Sequence, residues 1–144
     1  MTKTALIVED EIFVALDLER ILVDAGYHVA AIAADSASAI EAAPGCKFAF
    51  VDVNLRDGPT GPGIAVRMAR DYGVKVVFVT ANPSQIEAGG DCAIGYIRKP
   101  FSEAAILAAA AMASGDIDYD RDREPAPAND DVIPFPSSRA DLQA

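Results

Sequence analysis

Tryptophan is absent from this 144-residue chain, and there are only one histidine and two cysteines. Cys46 and Cys92 lack CxxC or other metal-type spacing, so they are expected to be free thiols in a reducing cytosol rather than a disulfide or a thiolate metal centre. Basic residues are scarce as well. The 12 Lys and Arg stand against 22 Asp and Glu, a net charge of −10. That balance argues against a DNA-binding surface, because phosphate contacts need clustered cations. It keeps a small protein soluble without naming a partner. Although 51% of the residues are apolar, no apolar run approaches the ~20 residues needed to cross a bilayer. Met1 to Thr4 leads straight into an apolar strand, and the charges that follow exclude a secretory h-region. The expectation is a cytoplasmic protein that binds neither nucleic acid nor membrane.

The length suits one domain with a real core plus a tail. From residue 4 to about 113, short apolar runs alternate with helical patterns, which predicts an α/β fold with a parallel sheet covered on both faces. The strand candidates are Thr4 to Val8, Tyr27 to Ile32, Phe48 to Val51, Val74 to Thr80 and Ala93 to Ile97. The first helix, Ile12 to Ala25, carries Val14, Leu18, Ile21 and Leu22 on one face, and Gly26 stops it. Asp35 or Ser36 can cap a second helix that ends before Pro44, and Pro62 suits the first turn of a third running to about Tyr72. Between Asn82 and Gly90 the apolar pattern fades around Pro83, Gly89 and Gly90, so the fourth helix is expected to be short, distorted or mobile. The last helix, about Ser102 to Ala113, can be capped by Ser102. Residues 1–115 thus read as one domain and 116–144 as an acidic, proline-containing tail with the composition of a flexible segment. The apolar patch Val132, Ile133 and Phe135 is its one docking element.

Ligands of open parallel sheets sit beyond the carboxyl ends of the strands. Strand one ends in Glu9 and Asp10, strand three in Asp52 with Asn54 just past it, strand four in Thr80, and strand five leads into Lys99 and Pro100. A strand order of 2-1-3-4-5 brings all of them to one rim. Three carboxylates there would repel one another unless a cation sat between them, and oxygen ligands with room left for water and phosphate favour Mg²⁺. A plainer reading, in which Glu9 and Asp10 only open the first helix, loses ground because Asp52 ends a buried strand with no structural need for a carboxylate. Asp52 is the candidate nucleophile for an acyl phosphate, Lys99 the fixed cation, and Thr80 a hydroxyl for a phosphoryl oxygen.

The segments IVEDE, FVDVNL, VFVTAN and GYIRKPF together resemble the response-regulator receiver domain of two-component signalling, over residues 4 to about 113. The resemblance implies a flavodoxin-like, doubly wound five-stranded sheet of order 2-1-3-4-5. It implies that Asp52 takes a phosphoryl group from a histidine kinase or histidine phosphotransfer protein, with slow autodephosphorylation as the sole turnover. Mg²⁺ would be held by Asp10, Asp52 and the backbone carbonyl of Asn54, with Glu9 helping through water. Lys99 and Thr80 would contact the phosphoryl group, Tyr96 would be the switch aromatic moving with Thr80, and the Lys99–Pro100 peptide would be cis. His28 is read as structural.

Three features depart from the commonest pattern. The acid pair is Glu-Asp rather than Asp-Asp. The loop Arg56 to Gly63 is rich in Gly and Pro, and with NPSQIEAGGD it resembles a branch common in alphaproteobacterial regulators, where output would use a disorder-to-order change near the fourth helix and fifth strand. No DNA-binding output domain is expected, so the output is an unknown downstream protein or a phosphate-sink role, from a monomer or a phosphorylation-dependent homodimer. A haloacid-dehalogenase-type phosphatase would need an acid where Asn54 stands. A flavodoxin-like mononucleotide site would set a phosphate against Glu9 and Asp10.

Overall fold

The computed structural model describes residues 3–86 and 92–115 and the backbone of residues 132–134. Six strands form one sheet: β1 (Thr4–Val8), β2 (His28–Ala33), β3 (Phe48–Val51), β4 (Lys75–Thr80), β5 (Ala93–Arg98) and β6 (Val132–Pro134), in the order β2-β1-β3-β4-β5-β6. The first five are parallel, in the flavodoxin-like order expected, and β6 adds antiparallel to β5. The helices are α1 (Ile12–Asp24), α2 (Ser36–Ala42), α3 (Gly61–Tyr72) and α4 (Glu103–Ser114).

Alternation along the strands sends successive side chains to opposite faces, and the two cores follow from it. Ala5, Ile7, Phe48, Phe50, Val77, Val79 and Ile97 face α1 and α4, where Leu18, Leu22, Ile106 and Ala110 close the layer. Leu6, Val8, Ala49, Val51, Val76 and Phe78 face α2 and α3, against Ala39, Ile64, Ala65 and Met68. Each large side chain removed from water on this scale stabilises the fold by roughly 1.5–3 kcal/mol. The central strands therefore cannot slip without exposing one core or the other.

The helix ends are set locally. Asp35 accepts a hydrogen bond from the Ser38 amide at 3.0 Å to cap α2, and Ser102 accepts one from the Ala105 amide at 3.1 Å to cap α4. Pro62 lies in the first turn of α3, and Gly73, at φ 68°, ends it in the left-handed conformation.

After β4 the chain makes a 3₁₀ turn at Pro83–Gln85, followed by buried Ile86. The rest of the segment expected to be a weak fourth helix, residues 87–90, lies outside the described residues. Within the tail, residues 132–134 extend the sheet as a sixth strand, pairing with Gly95, Tyr96 and Ile97, and they include Val132 and Ile133 of the expected docking patch. Phe135 of the expected patch lies outside the described residues. Among the described residues no helix is long and apolar enough to cross a membrane.

Candidate functional site

Parallel β1, β3, β4 and β5 end at one rim, and their terminal or next residues are Glu9, Asp52, Thr80 and Lys99. Backbone pairing continues past the strand ends. The Asp52 amide donates to the Val8 carbonyl at 2.9 Å, the Glu9 amide to the Ala33 carbonyl at 2.8 Å, and the Lys99 amide to the Thr80 carbonyl at 3.0 Å. Main chain, rather than loop flexibility, thus positions the four side chains.

Lys99 is the electrostatic hub. Its Nζ lies 3.0 Å from Glu9 Oε1, 3.0 Å from Asp52 Oδ2 and 3.2 Å from Glu11 Oε1, with the lysine side chain 14% exposed. Burial works to lower its pKa, but the hydrogen bonds and charges of Glu9 and Asp52 outweigh it and hold the ammonium well above its ordinary range. Glu9 is buried, and that burial, reinforced by Asp52 and opposed by Lys99, pushes its carboxyl up to about 7. Its second oxygen, Oε2, accepts from the Glu11 amide at 3.1 Å. Asp52 is 8% exposed, and its Oδ1 accepts from the Val53 amide at 2.7 Å.

Asp10 is exposed beside this pair, and one carboxylate oxygen each of Glu9, Asp10 and Asp52 lie within 4.8 Å of one another. This is an all-oxygen, hard donor set at a partly open rim. It suits a small divalent cation that keeps some of its waters, and not a soft transition metal.

Thr80 is fully buried, and its Oγ1 accepts from the Asn82 amide at 3.0 Å. Asn54 is exposed and its side-chain amide donates to Gln85 Oε1 at 3.0 Å, joining the loop after β3 to the turn after β4. Tyr96 is partly buried against the core on the α2 and α3 face, in register with Phe78 and Ile133. The Lys99–Pro100 peptide is cis. His28 is exposed at the start of β2, remote in the sheet from the rim of β3 to β5. Cys46 and Cys92 are free thiols.

Sequence reasoning passed over three neighbours of the site. Glu11 supplies the third carboxylate to Lys99. Gly61, the first residue of α3, lies so close to β3 that a Cβ there would run into the Asp52 carbonyl oxygen and come within 2.7 Å of Val53 Cα. Asp57 joins two elements: Oδ2 accepts from the Ser36 amide at 3.1 Å and hydroxyl at 2.7 Å, and Oδ1 accepts from the Thr60 hydroxyl at 2.7 Å. Those hydrogen bonds, from Thr60 and then Ser36, hold its carboxyl down at about 2.

A family model described as the response regulator receiver domain matches residues 5–111. The phyllosphere-induced regulator PhyR of Methylorubrum extorquens is 30% identical over 112 residues, covering 75% of this chain and 42% of the relative. The chain therefore spans less than half the length of that curated relative. Among solved structures, the PhyR receiver domain of Erythrobacter litoralis superposes with a TM-score of 0.72 at 25% identity, covering 87% of this chain and 96% of that one. The signal receiver domain of a modulated diguanylate cyclase from Desulfovibrio desulfuricans G20 gives 0.73 at 25% identity, covering 81% and 96%.

Proposed function

Since the chain belongs to the response regulator receiver domain family, we propose that it is a phosphorylation switch in a two-component phosphorelay, with Asp52 as the phosphoacceptor and Mg²⁺ as the cofactor. The observation that carries this reading is the meeting, at one rim, of Lys99 with Asp52 at 3.0 Å and of Glu9, Asp10 and Asp52 within 4.8 Å. Residues 1–115 form the switch and 116–144 its appended tail.

Asp10, Asp52 and the Asn54 carbonyl are the residues that would hold the ion, with Glu9 contributing through water. Its chemistry is to neutralise charge on the phosphoryl oxygens. The chain's own part is positioning. An Asp52 oxygen attacks phosphorus of a phosphohistidine, the phosphorus–oxygen bond forms as the phosphorus–nitrogen bond breaks, and the imidazole leaves to take up a proton. Lys99 exchanges a carboxylate partner for a phosphoryl oxygen. The Thr80 hydroxyl, released from the Asn82 amide, turns toward another, and Tyr96 moves into the space that Thr80 vacates. Slow attack of water on the acyl phosphate returns inorganic phosphate and the Asp52 carboxylate.

The donor of the phosphoryl group is a histidine kinase or phosphotransfer protein, and the receiver of the signal is a downstream protein. Beside the site, Ile12, Phe13 and Leu16 of α1 are exposed, Phe13 by 84%. A cluster of apolar groups next to a reactive rim suits docking of a protein donor.

Acetyl phosphate with Mg²⁺ should add the mass of one phosphoryl group to the wild-type chain and none to Asp52→Asn, read by intact-mass measurement. An unmodified wild type, or an adduct that survives in Asp52→Asn, would overturn the assignment. Asp10→Asn removes one anionic ligand and should weaken Mg²⁺ binding on the order of tenfold. Calorimetric titration checks this, and equal affinity would remove Asp10 from the ligand set.

A further inference from the structure

A lysine ammonium has three N–H donors, and three carboxylates surround that of Lys99: Glu9 at 3.0 Å, Asp52 at 3.0 Å and Glu11 at 3.2 Å. No donor is left over for a phosphoryl group. One carboxylate must therefore withdraw as the acyl phosphate forms, and the three differ in what withdrawal costs. Asp52 is the acceptor and stays. Glu9 is 2% exposed, and among the described residues its Oε1 has no hydrogen bond besides this contact with Lys99. Taking Lys99 from it would strand a buried charge, which is strongly destabilising. The Glu11 side chain is 64% exposed, so its carboxylate exchanges Lys99 for water at little cost. Glu11 is also the N-cap residue of α1 without a side-chain cap hydrogen bond, so the helix loses nothing when that carboxylate moves.

We propose that Glu11 guards the acceptor: its carboxylate holds the third donor of Lys99 until a phosphoryl group takes it, and its charge selects against small anionic phosphodonors. This rests on the reading of Asp52 as the phosphoacceptor.

The selection follows from distance. Lys99 Nζ stands 3.2 Å from Glu11 Oε1 and 3.0 Å from Asp52 Oδ2, so the two oxygens are no more than 6.2 Å apart. That is inside the ~8 Å screening length of physiological salt. With water on one side, a unit charge at this range slows the approach of each like unit charge by about threefold. Acetyl phosphate is a dianion at neutral pH and phosphoramidate a monoanion. With the first, an Asp52 oxygen attacks phosphorus as the phosphorus–oxygen bond to acetate breaks and acetate leaves; with the second, the phosphorus–nitrogen bond breaks and ammonia leaves. The chemistry at Asp52 is the same, and the charge brought past Glu11 differs by one. A protein donor seated on Ile12 and Phe13, next in the chain to Glu11, has docking contacts that offset the repulsion.

The test compares wild type, Glu11→Gln and Glu41→Gln as full chains at saturating Mg²⁺, with the rate of adduct formation read by intact mass. Glu41 is exposed toward the far end of α2, so its variant makes the same change in net charge away from the rim. Glu11→Gln should take up phosphoryl from acetyl phosphate about tenfold faster than wild type and from phosphoramidate about threefold faster. The difference between donors should close in about 1 M salt, where the screening length falls to about 3 Å. Glu41→Gln should match wild type. Loss of a nearby carboxylate weakens Mg²⁺ binding if it does anything, so the expected gain is opposite in sign to that side effect. In the metal-free chain, Lys99 should react about threefold faster with the anionic amine reagent trinitrobenzenesulfonate in Glu11→Gln than in wild type, read by peptide mass. Absence of an adduct from wild type and variants alike would overturn the acceptor reading and this inference with it. An adduct that forms at one rate in wild type and Glu11→Gln, an equal gain for both donors, an equal gain in Glu41→Gln, or unchanged labelling of Lys99 would overturn the role of Glu11 alone.

Discussion

Asp57 is exposed, yet it gathers three hydrogen bonds from Ser36 and Thr60 and so ties the loop before α3 to the first residue of α2. Its carboxyl sits at about 2 against an ordinary 3.8. A depressed acid stabilises the fold fully above its unfolded value and loses that contribution as pH falls through the folded one. Asp57→Ala should accordingly be less stable than wild type at pH 6, and the gap in denaturant midpoint should close as pH falls from about 4 toward 2. A gap that stays constant over that window would show that the charge contributes nothing. Gly61→Ala is a steric test, since a methyl group would press on the backbone of Asp52 and Val53. Overpacking of this kind costs about 1–3 kcal/mol, and it should also slow phosphoryl uptake from acetyl phosphate by shifting Asp52; urea denaturation and adduct kinetics check the two parts. Neither residue was legible in the sequence. The Gly-Pro loop was visible, but only the fold shows that one of its glycines abuts the backbone of Asp52 and that its aspartate reaches across to α2. Asp52, Thr80 and Lys99, by contrast, could be read because each follows an apolar strand whose end fixes its place.

At the scale of elements, Thr4–Val8 and Phe48–Val51 have the ends read from the sequence, and the other parallel strands differ by one residue at an end or both. Uninterrupted apolar runs explain this, since burial on both faces marks where a central strand starts and stops. Val132 and Ile133 were read as a docking patch but not as a strand, because a three-residue stretch that includes Pro134, within an acidic tail, carries no periodic signal, and its pairing is a long-range contact that no local window contains. The weak fourth helix was legible for the opposite reason: Pro83 and the lack of an apolar stripe leave the described part of that segment as a 3₁₀ turn. The strands should also differ in their tolerance of change. Phe48 packs edge-on against Tyr27 at 5.4 Å and Phe50 at 5.9 Å and is fully buried. Phe48→Ala should cost about 3–5 kcal/mol in urea denaturation, and a loss under ~1 kcal/mol would mean that the neighbouring rings collapse into the gap.

For the molecule as a whole, net charge, topology and site act together. Four of its 22 acidic residues, Glu9, Asp10, Glu11 and Asp52, are concentrated around one point of the rim, with Lys99 against them. A cation that binds only the folded chain stabilises it by mass action, about 2.7 kcal/mol at a hundredfold excess over Kd. The melting temperature should therefore climb with Mg²⁺ in wild type and stay flat when Asp10→Asn and Asp52→Asn are combined, as calorimetry would show; a parallel climb in both would place the ion elsewhere. The parallel α/β alternation was legible in the sequence and the sheet order came with the resemblance to receiver domains, whereas the cross-links between loops were not legible. One such link, from Asn54 to Gln85 at 3.0 Å, joins the loop after β3 to the turn after β4 and faces solvent. A single amide pair of this kind is worth about 0.5–1.5 kcal/mol, so thermal motion unfastens it in roughly a tenth to a third of molecules. For the phosphotransfer proposed above, opening the rim beside Asp52 would then ask only for a fluctuation of two side chains, with the sheet beneath left rigid.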